Sequence, residues 1–420
     1  MKKEKIAIIV WRFPDASNTF VMNEIMEMHK NGLDITIYSR GPCEENVHTL
    51  YKDQLSQIGN KIIYTGEKGL LFFKGMHEQS LPIAYNKYRK TLESYKKTGL
   101  QIGGKVAKST LKYYDEKESE ALDNSVFFIS KLIEDIENKK ITKIYAPFGN
   151  GDAEIAMMIS YHTNIPYYFS CHAFDLFSSY YFHNLKAKTC NHVFTISEYN
   201  KKYMVKNLKM PENKITVKRI NFLKPDYNSI KAKNINSPFI FSAGRLNEMK
   251  GFEYSIKAFA KFHKKFRRFH YFIAGSGELE DSLKSLVASL KLKNNIHFIG
   301  HIKNAEVLQY LKGAKFSILS SIKTKDNDQE GLPTMFAESM SVGTPCIGTN
   351  YSAIPEIIDH KINGMLAKEK DIDDITKKMI DLKTLLDKDK QNFISKSCHS
   401  KIEKLFDNNY NIHLLINKLK

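Results

Sequence analysis

The sequence predicts an α/β protein built from two Rossmann-like domains, each a doubly wound parallel sheet. Three observations carry that prediction. At 420 residues the chain is long enough for two or three domains. Short, almost continuously apolar runs alternate with amphipathic helical patterns, as parallel strands covered on both faces require. The alternation occurs twice, on either side of a polar, proline-containing stretch.

In the first half the predicted strands are IAIIV (6–10), DITIYS (34–39), KIIYT (61–65), KIYAPF (143–148), PYYFSC (166–171) and HVFTIS (192–197). Helical patterns at Phe20–His29 and Gly151–His162 fall between them. Residues 67–120 break the alternation. Their LLFF (70–73), many Lys and Tyr residues and QIGGK read as a helical insertion, which could cap an acceptor site or lie on a membrane surface. The join lies in FLKPDYNSIKAKNINSP (222–238). Beyond it come FIFSAG (239–244), YFIAGS (271–276), IHFIGH (296–301), FSILSS (316–321) and PCIGT (345–349), with helices at 251–266, 278–292, 304–313 and 333–342. The stretch from Ile372 is helical and lysine-rich. This sets an N-terminal domain at 1–225, a C-terminal domain at 226–395, and a helix at 396–420 that could return to the first domain. Ligands are expected at the carboxyl ends of the strands.

Composition narrows the function classes. Hydrophobic residues at 42% and aromatics at 12% exclude a wholly disordered, collagenous or coiled-coil chain. A mean hydropathy of -0.40, with no apolar run near about 18 residues, excludes a conventional spanning helix. The apolar start Ile6–Trp11 is too short for a signal peptide and reads as the first strand. Cys43, Cys171, Cys190, Cys346 and Cys398 lack metal-like spacing, which argues against a zinc site or disulfide framework and for a cytoplasmic chain. The net charge of +18 fits either a solvated lysine surface or an anionic partner such as a phosphate-bearing substrate or an acidic membrane. Nucleic acid is disfavoured, for there is no zinc-finger spacing, RNP-like aromatic motif or uninterrupted basic helix.

Several segments could carry chemistry. In QEGLPTMFAESMSVGTPCIGT (329–349), Pro333 suits the first turn of a helix and Gly343 its end. Glu330, Gly331 and Leu332 then form a tight loop at a helix N-terminus, where backbone amides and the helix dipole favour anions. Glu330 could accept hydrogen bonds from sugar hydroxyls or stabilise positive charge at an anomeric carbon. Glu338, farther along the helix, could take a ribose diol. The alternative is a capping acid and a surface glutamate. In FSAGRLNEMKGFEYSIKAF (241–259), Arg245 offers a fork for a pyrophosphate and Lys250 a second cation, unless both are simply exposed bases. FIAGSGELEDSL (272–283) is a tight turn beside a nucleotide, since Glu280 replaces the third glycine of a dinucleotide fingerprint. YFSCHAFDLF (168–177) places His172 and Asp175 after a strand, for a ligand or for structure alone. Ser17, Asn18 and Thr19 are N-cap candidates for the first helix.

Together these segments resemble the retaining nucleotide-sugar glycosyltransferases of family 4, which have the GT-B fold: two Rossmann-like domains facing a cleft. The likeness rests on GRLNEMKG, AGSGELEDSL, FIGHI, and EGLPTMFAE with two glutamates eight apart, followed by GTPCIGT. More loosely, FPDASNTFVMNEI, CHAFDLF and FTISEYNKKYM are similar to an exopolysaccharide and colanic-acid subgroup. The resemblance implies that Arg245 and Lys250 bind the donor diphosphate and that Glu330 contacts the transferred sugar. It implies that Gly331, Leu332, Pro333 and Thr334 meet sugar and phosphate and that Glu338 binds the ribose. The segment Gly300, His301 and Ile302 would border the base, and His172 would touch the sugar near the reacting centre. It further implies retention of anomeric configuration, neither metal nor cofactor, and a hexosyl transfer to a glycan or polyprenyl-linked acceptor for capsule, exopolysaccharide or O-antigen. Such an enzyme would be cytoplasmic, with peripheral contact to the inner face of the membrane. A non-catalytic GT-B scaffold is the competing expectation, and an NAD-dependent oxidoreductase a weaker one. Three departures stand out: Asn18 where the subgroup has Glu, Ala173 after His172 where Gly is common, and YSAIPE (351–356) for G-G-x-P-E.

Overall fold

A computed structural model describes residues 4–15, 18–39, 41, 51–64, 132–177, 183–221, 226, 229–325 and 328–420. The expected 67–120 insertion, Ser17, Cys43 and the junction at residue 225 lie outside these. The chain divides into two compact units. The first comprises Met1–Ile196, Asn200–Phe222 and Asn408–Lys420, and the second Ser197–Tyr199 and Leu223–Asp407.

The first unit holds a seven-stranded sheet of β1 (Lys5–Val10), β2 (Asp34–Ser39), β3 (Ile62–Tyr64), β4 (Lys143–Ala146), β5 (Tyr167–Cys171), β6 (His192–Thr195) and β7 (Ile215–Val217). Its order is β3-β2-β1-β4-β5-β6-β7, with every neighbouring pair parallel. The second unit has six: β8 (Phe239–Ala243), β9 (His270–Ala274), β10 (Ile296–Gly300), β11 (Phe316–Leu319), β12 (Cys346–Thr349) and β13 (Gly364–Ala367). Their order is β10-β9-β8-β11-β12-β13, again all parallel. Burial explains why these runs show no two-residue alternation: every residue of β5, β6, β11 and β12 is buried. Each sheet reverses its winding once, at β1/β4 and at β8/β11. Helices leave on opposite sides of such a point and open a crevice at the carboxyl ends of the two strands. The fold thereby places the site before any side chain is considered.

Among the described residues the expected strands occur, as do the helices expected between them, and β7 and β13 are additional. ITV and GMLA are too short to stand out as apolar runs, and pairing with β6 and β12 defines them. Two expectations need correction. The helix at 396–420 is two helices, Phe393–Leu405 and Asn408–Leu419. Phe406 caps the first with non-helical backbone and is fully buried, so the chain turns inward there. Only the second belongs to the first unit, where Ile412, Leu415, Ile416 and Leu419 join Ile6, Ile8, Val21, Ile25 and Ile35 in one core. Asn18 occupies the cap position of Thr19–Lys30 but makes no side-chain cap bond; its amide donates to Asp15 at 2.7 Å. The four described cysteines are free and buried. Among the described residues, no helix is long and apolar enough to cross a membrane.

Leu415 is fully buried in the first unit's core. Leu415→Ala should therefore cost about 2–5 kcal/mol through lost transfer energy and an unfilled cavity. Urea unfolding should show the first unit's transition moved to lower denaturant.

Candidate active site

The second unit's switch point is built by backbone contacts. After β8 the chain passes Gly244 and Arg245 into a short turn, Glu248–Lys250, whose Lys250 amide donates to the Asn247 side chain at 3.3 Å. Gly251 follows at φ +63 and begins the helix Phe252–Lys265. It is pressed on the end of β11, where a Cβ would collide with the Ser320 carbonyl oxygen. The Ser320 hydroxyl donates to the Gly251 carbonyl at 2.6 Å, and the Ile322 amide to the Met249 carbonyl at 2.8 Å. The loop after β8 is thus fastened to the loop after β11.

That fastening sets the central contact. Lys250 Nζ lies 2.6 Å from Glu330 Oε2, across 80 residues of sequence. Glu330 is buried, at 7% exposure, and the Ser321 hydroxyl lies 3.4 Å from the same oxygen. The Ser352 hydroxyl donates to the Glu330 backbone carbonyl. A buried carboxylate needs such partners, because its desolvation is otherwise uncompensated. Beside it, Gly331, Leu332 and Pro333 are buried and Thr334 is exposed. Pro333 is the cap residue of the helix Thr334–Ser341, one position ahead of the expected first turn, and its carbonyl accepts from Phe336 at 3.1 Å. Ahead of that bond, the Thr334 and Met335 amides have no acceptor within the helix, and amides so placed favour an anion. Gly343, at φ +81, ends the element as expected.

Glu338 lies on the same helix and accepts a hydrogen bond from Asn304 at 2.9 Å. Asn304 opens the helix after β10, so Glu338 is tied to the segment carrying His301 and Ile302. Burial raises the Glu338 carboxyl to about 7, against the opposing pull of the Asn304 amide. Arg245 and His301 are exposed and Ile302 is half-buried. The Gly-x-Gly turn after β9 has a packing cause: a Cβ on Gly275 would strike Gly244, and one on Gly277 would strike Leu246. These glycines let the ends of β8 and β9 meet.

His172 follows β5 in the first unit. Its amide donates to Asp175 Oδ2 at 2.8 Å and its Nδ1 lies 3.3 Å from the same oxygen. The ring packs on Phe20 and Phe148, with centroids 4.9 and 5.3 Å away. Burial would raise the Asp175 carboxyl, but hydrogen bonds and charge from His172 outweigh it and hold the group below its ordinary value. Nearby, Asp152 accepts from the Trp11 amide at 2.8 Å, joining the loops after β1 and β4. Burial, reinforced by Asp175 and Glu154, pushes its carboxyl well up despite that bond.

Of the residues expected from the sequence, the structure brings Lys250 to Glu330 and Glu338 to the loop after β10. Sequence reasoning missed Ser321, Ser352, Asn304 and Asp152. Only proximity to the quoted motifs could have signalled them, since serine and asparagine in loops usually serve turns. Among the described residues, no group of three His, Cys, Asp or Glu side chains is arranged to hold a metal ion.

Two parallel-sheet α/β units with this strand order define the GT-B fold. The solved glycosyltransferase of Rickettsia africae superposes over 100% of this chain and 98% of its own, with a TM-score of 0.71 at 16% identity. HepE of Anabaena in complex with UDP-glucose covers 99% of both chains, with a TM-score of 0.67 at 13% identity. Residues 224–397 match the family model of glycosyl transferases group 1. Among curated relatives, the amylovoran biosynthesis glycosyltransferase AmsK of Erwinia amylovora is 34% identical over 163 residues, 38% of this chain and 40% of that protein. The putative colanic acid biosynthesis glycosyltransferase WcaL of Escherichia coli is 29% identical over 198 residues, 47% and 48% respectively. The chain spans about half the length, or less, of the curated relatives it matches.

Two expected outcomes follow from this geometry. Gly251→Ala forces a side chain into the left-handed region and onto Ser320, at a cost of about 1–3 kcal/mol or more; differential scanning calorimetry should record a lower Tm. Glu338 keeps its proton in the fold to about pH 7, whereas the unfolded chain releases it in the ordinary glutamate range. Between those values the native state binds more protons, so the Glu338 contribution is complete at low pH and lost as pH rises through about 7. Glu338→Gln should therefore gain stability relative to the parent between about pH 5 and pH 8 in denaturant titrations.

Proposed function

We propose that the chain is a retaining, metal-independent hexosyltransferase. It would move a sugar from a nucleotide diphosphate to a glycan or polyprenyl-linked acceptor in surface polysaccharide assembly, on the cytoplasmic side of the membrane. The observation that carries this reading is the Lys250–Glu330 pair at the β8/β11 switch point, beside the first turn of Thr334–Ser341. The group 1 match over that unit supports it, as do relatives named for amylovoran and colanic acid biosynthesis. Solved neighbours holding UDP and UDP-glucose make UDP sugars the first donors to test.

The chemistry follows from the charges. As the bond from the anomeric carbon to the diphosphate oxygen breaks, its electron pair leaves with the diphosphate. Lys250, Arg245 and the helix amides stand where that negative charge grows, which is electrostatic stabilisation of the kind that lowers barriers most. The acceptor oxygen bonds the anomeric carbon from the same face, and its proton passes to the departing diphosphate oxygen. A diphosphate competes with Glu330 for Lys250. Donor binding therefore frees a Glu330 carboxylate oxygen for the sugar hydroxyls and for the positive charge at the anomeric carbon. Glu338 takes the ribose diol, His301 and Ile302 border the base, and His172 contacts the transferred sugar.

Two measurements test this. A thermal-shift panel of UDP, GDP, ADP, CMP and NAD in metal-free buffer should show a rise with one nucleoside diphosphate, lost in Arg245→Ala. A ligand at 100 times its Kd adds about 2.7 kcal/mol to the folded state. With the matching donor sugar, Glu330→Gln and Lys250→Ala should each cut kcat by about 10²–10³-fold. Circular dichroism should show both variants folded. Unchanged turnover in both would overturn the site, and no response to any nucleotide would favour the scaffold role.

A further inference from the structure

The amino-terminal edge of the second sheet, opposite the site described above, carries a cavity of about 530 Å³. Pro238, Phe269 and Lys315, each directly before β8, β9 and β11, form its floor. Five cations line it: Lys265, Arg267, Arg268, Lys315 and Lys383. The acid among its lining residues is Asp387, which pairs with Lys383. Lys265, Arg267, Arg268 and Lys315 are exposed and have no ion-pair partner among the described residues. One wall is apolar. Phe266 contributes a ring with Lys383 Nζ 4.9 Å from its centroid, and Leu386 stands beside it.

A favourable interaction with the carboxyl end of Phe252–Lys265 accounts for Lys265, which lies in its last turn. It does not account for the others, which arrive from a loop, a strand edge and the helix Ile372–Lys388. Unpaired like charges converging on one concavity repel one another, and an anion there would relieve that repulsion. Two guanidinium forks suit phosphate oxygens geometrically. We propose that this cavity is a second ligand site, for a phosphate-bearing anion, separate from the donor diphosphate and independent of the transfer reaction. Its exposure and its apolar wall suit the phosphate of an acidic lipid headgroup, and a free phosphate would satisfy the same cations.

The test uses the full chain and the exposed-residue variant Arg268→Gln/Lys315→Gln. The control is Lys257→Gln/Lys284→Gln, which removes equal charge from lysines already paired with Glu253 and Glu280. Affinity for vesicles of equal phosphatidylglycerol and phosphatidylcholine at low salt should fall by about tenfold or more in the cavity variant. It should change less than about twofold in the control. Equal losses in the two would show diffuse attraction and overturn the site. In a second arm, calorimetric titration with inorganic phosphate distinguishes the sources. Binding that persists in Arg245→Ala and vanishes in the cavity variant, without vesicle recruitment, assigns a free phosphate to the same site. Absence of both vesicle and phosphate binding overturns the proposal.

Discussion

The architecture of the candidate site depends on one close approach, that of the Gly251 backbone to the Ser320 carbonyl. No side chain other than hydrogen fits between them. Because they touch, the loops leaving β8 and β11 share hydrogen bonds through Ser320, Ile322 and Met249. Lys250 is thereby brought to Glu330. A parallel sheet makes this possible: adjacent strands end side by side, and at a reversal of winding their loops diverge only after the first few residues. The glycines after β9 serve the same end one strand over, holding Gly244 and Leu246 in place and with them the path of Arg245.

The fold was legible in the sequence because its strands are buried on both faces. IAIIV, PYYFSC and FSILSS read as continuous apolar runs, and the helices between them show their own period. β7 and β13 were not legible, since three or four residues without flanking pattern carry no period at all. The C-terminal break escaped for a similar reason: Phe406 is apolar and fits a helical pattern, yet its burial turns the chain. Within the site, Lys250 and Glu330 could be singled out as charges at strand or helix ends, and Glu338 as an acid farther along the same helix. That Lys250 would meet Glu330 could not, because the contact depends on the strand order that puts β8 beside β11. Asn18 went the other way, its capping chemistry visible in sequence but diverted to Asp15 in the fold.

Burial on both faces also leaves any charge that enters the interior in need of a partner, and the first unit shows the consequence. Lys186 is fully buried, 2.5 Å from Glu154 and bonded to the Gly149 carbonyl. Glu24 accepts from Tyr145 and pairs with Lys218 inside the same unit. Each such pair offsets a desolvation cost that neither charge could bear alone, and removal of one partner would strand the other. Among the described residues Asp152 has no cationic partner of this kind, and it is driven toward its neutral form instead. The two responses, pairing and protonation, are the ways a buried carboxyl avoids an uncompensated charge.

The departure at YSAIPE shows how one exchange can be absorbed. Aligned on its Pro-Glu, the segment places Ser352 where the resembled pattern has its first glycine. Ser352 sits at φ +52, the left-handed region a glycine enters freely and other residues enter at a cost of about 1–2 kcal/mol. Its hydroxyl donates to the Glu330 backbone carbonyl, an interaction glycine cannot make. The conformation demanded by the glycine is therefore kept, and the side chain that replaces it is used to fix the loop carrying Glu330. Flexibility beside the carboxylate has been exchanged for a hydrogen bond. That exchange narrows the positions available to Glu330 and to its carboxylate.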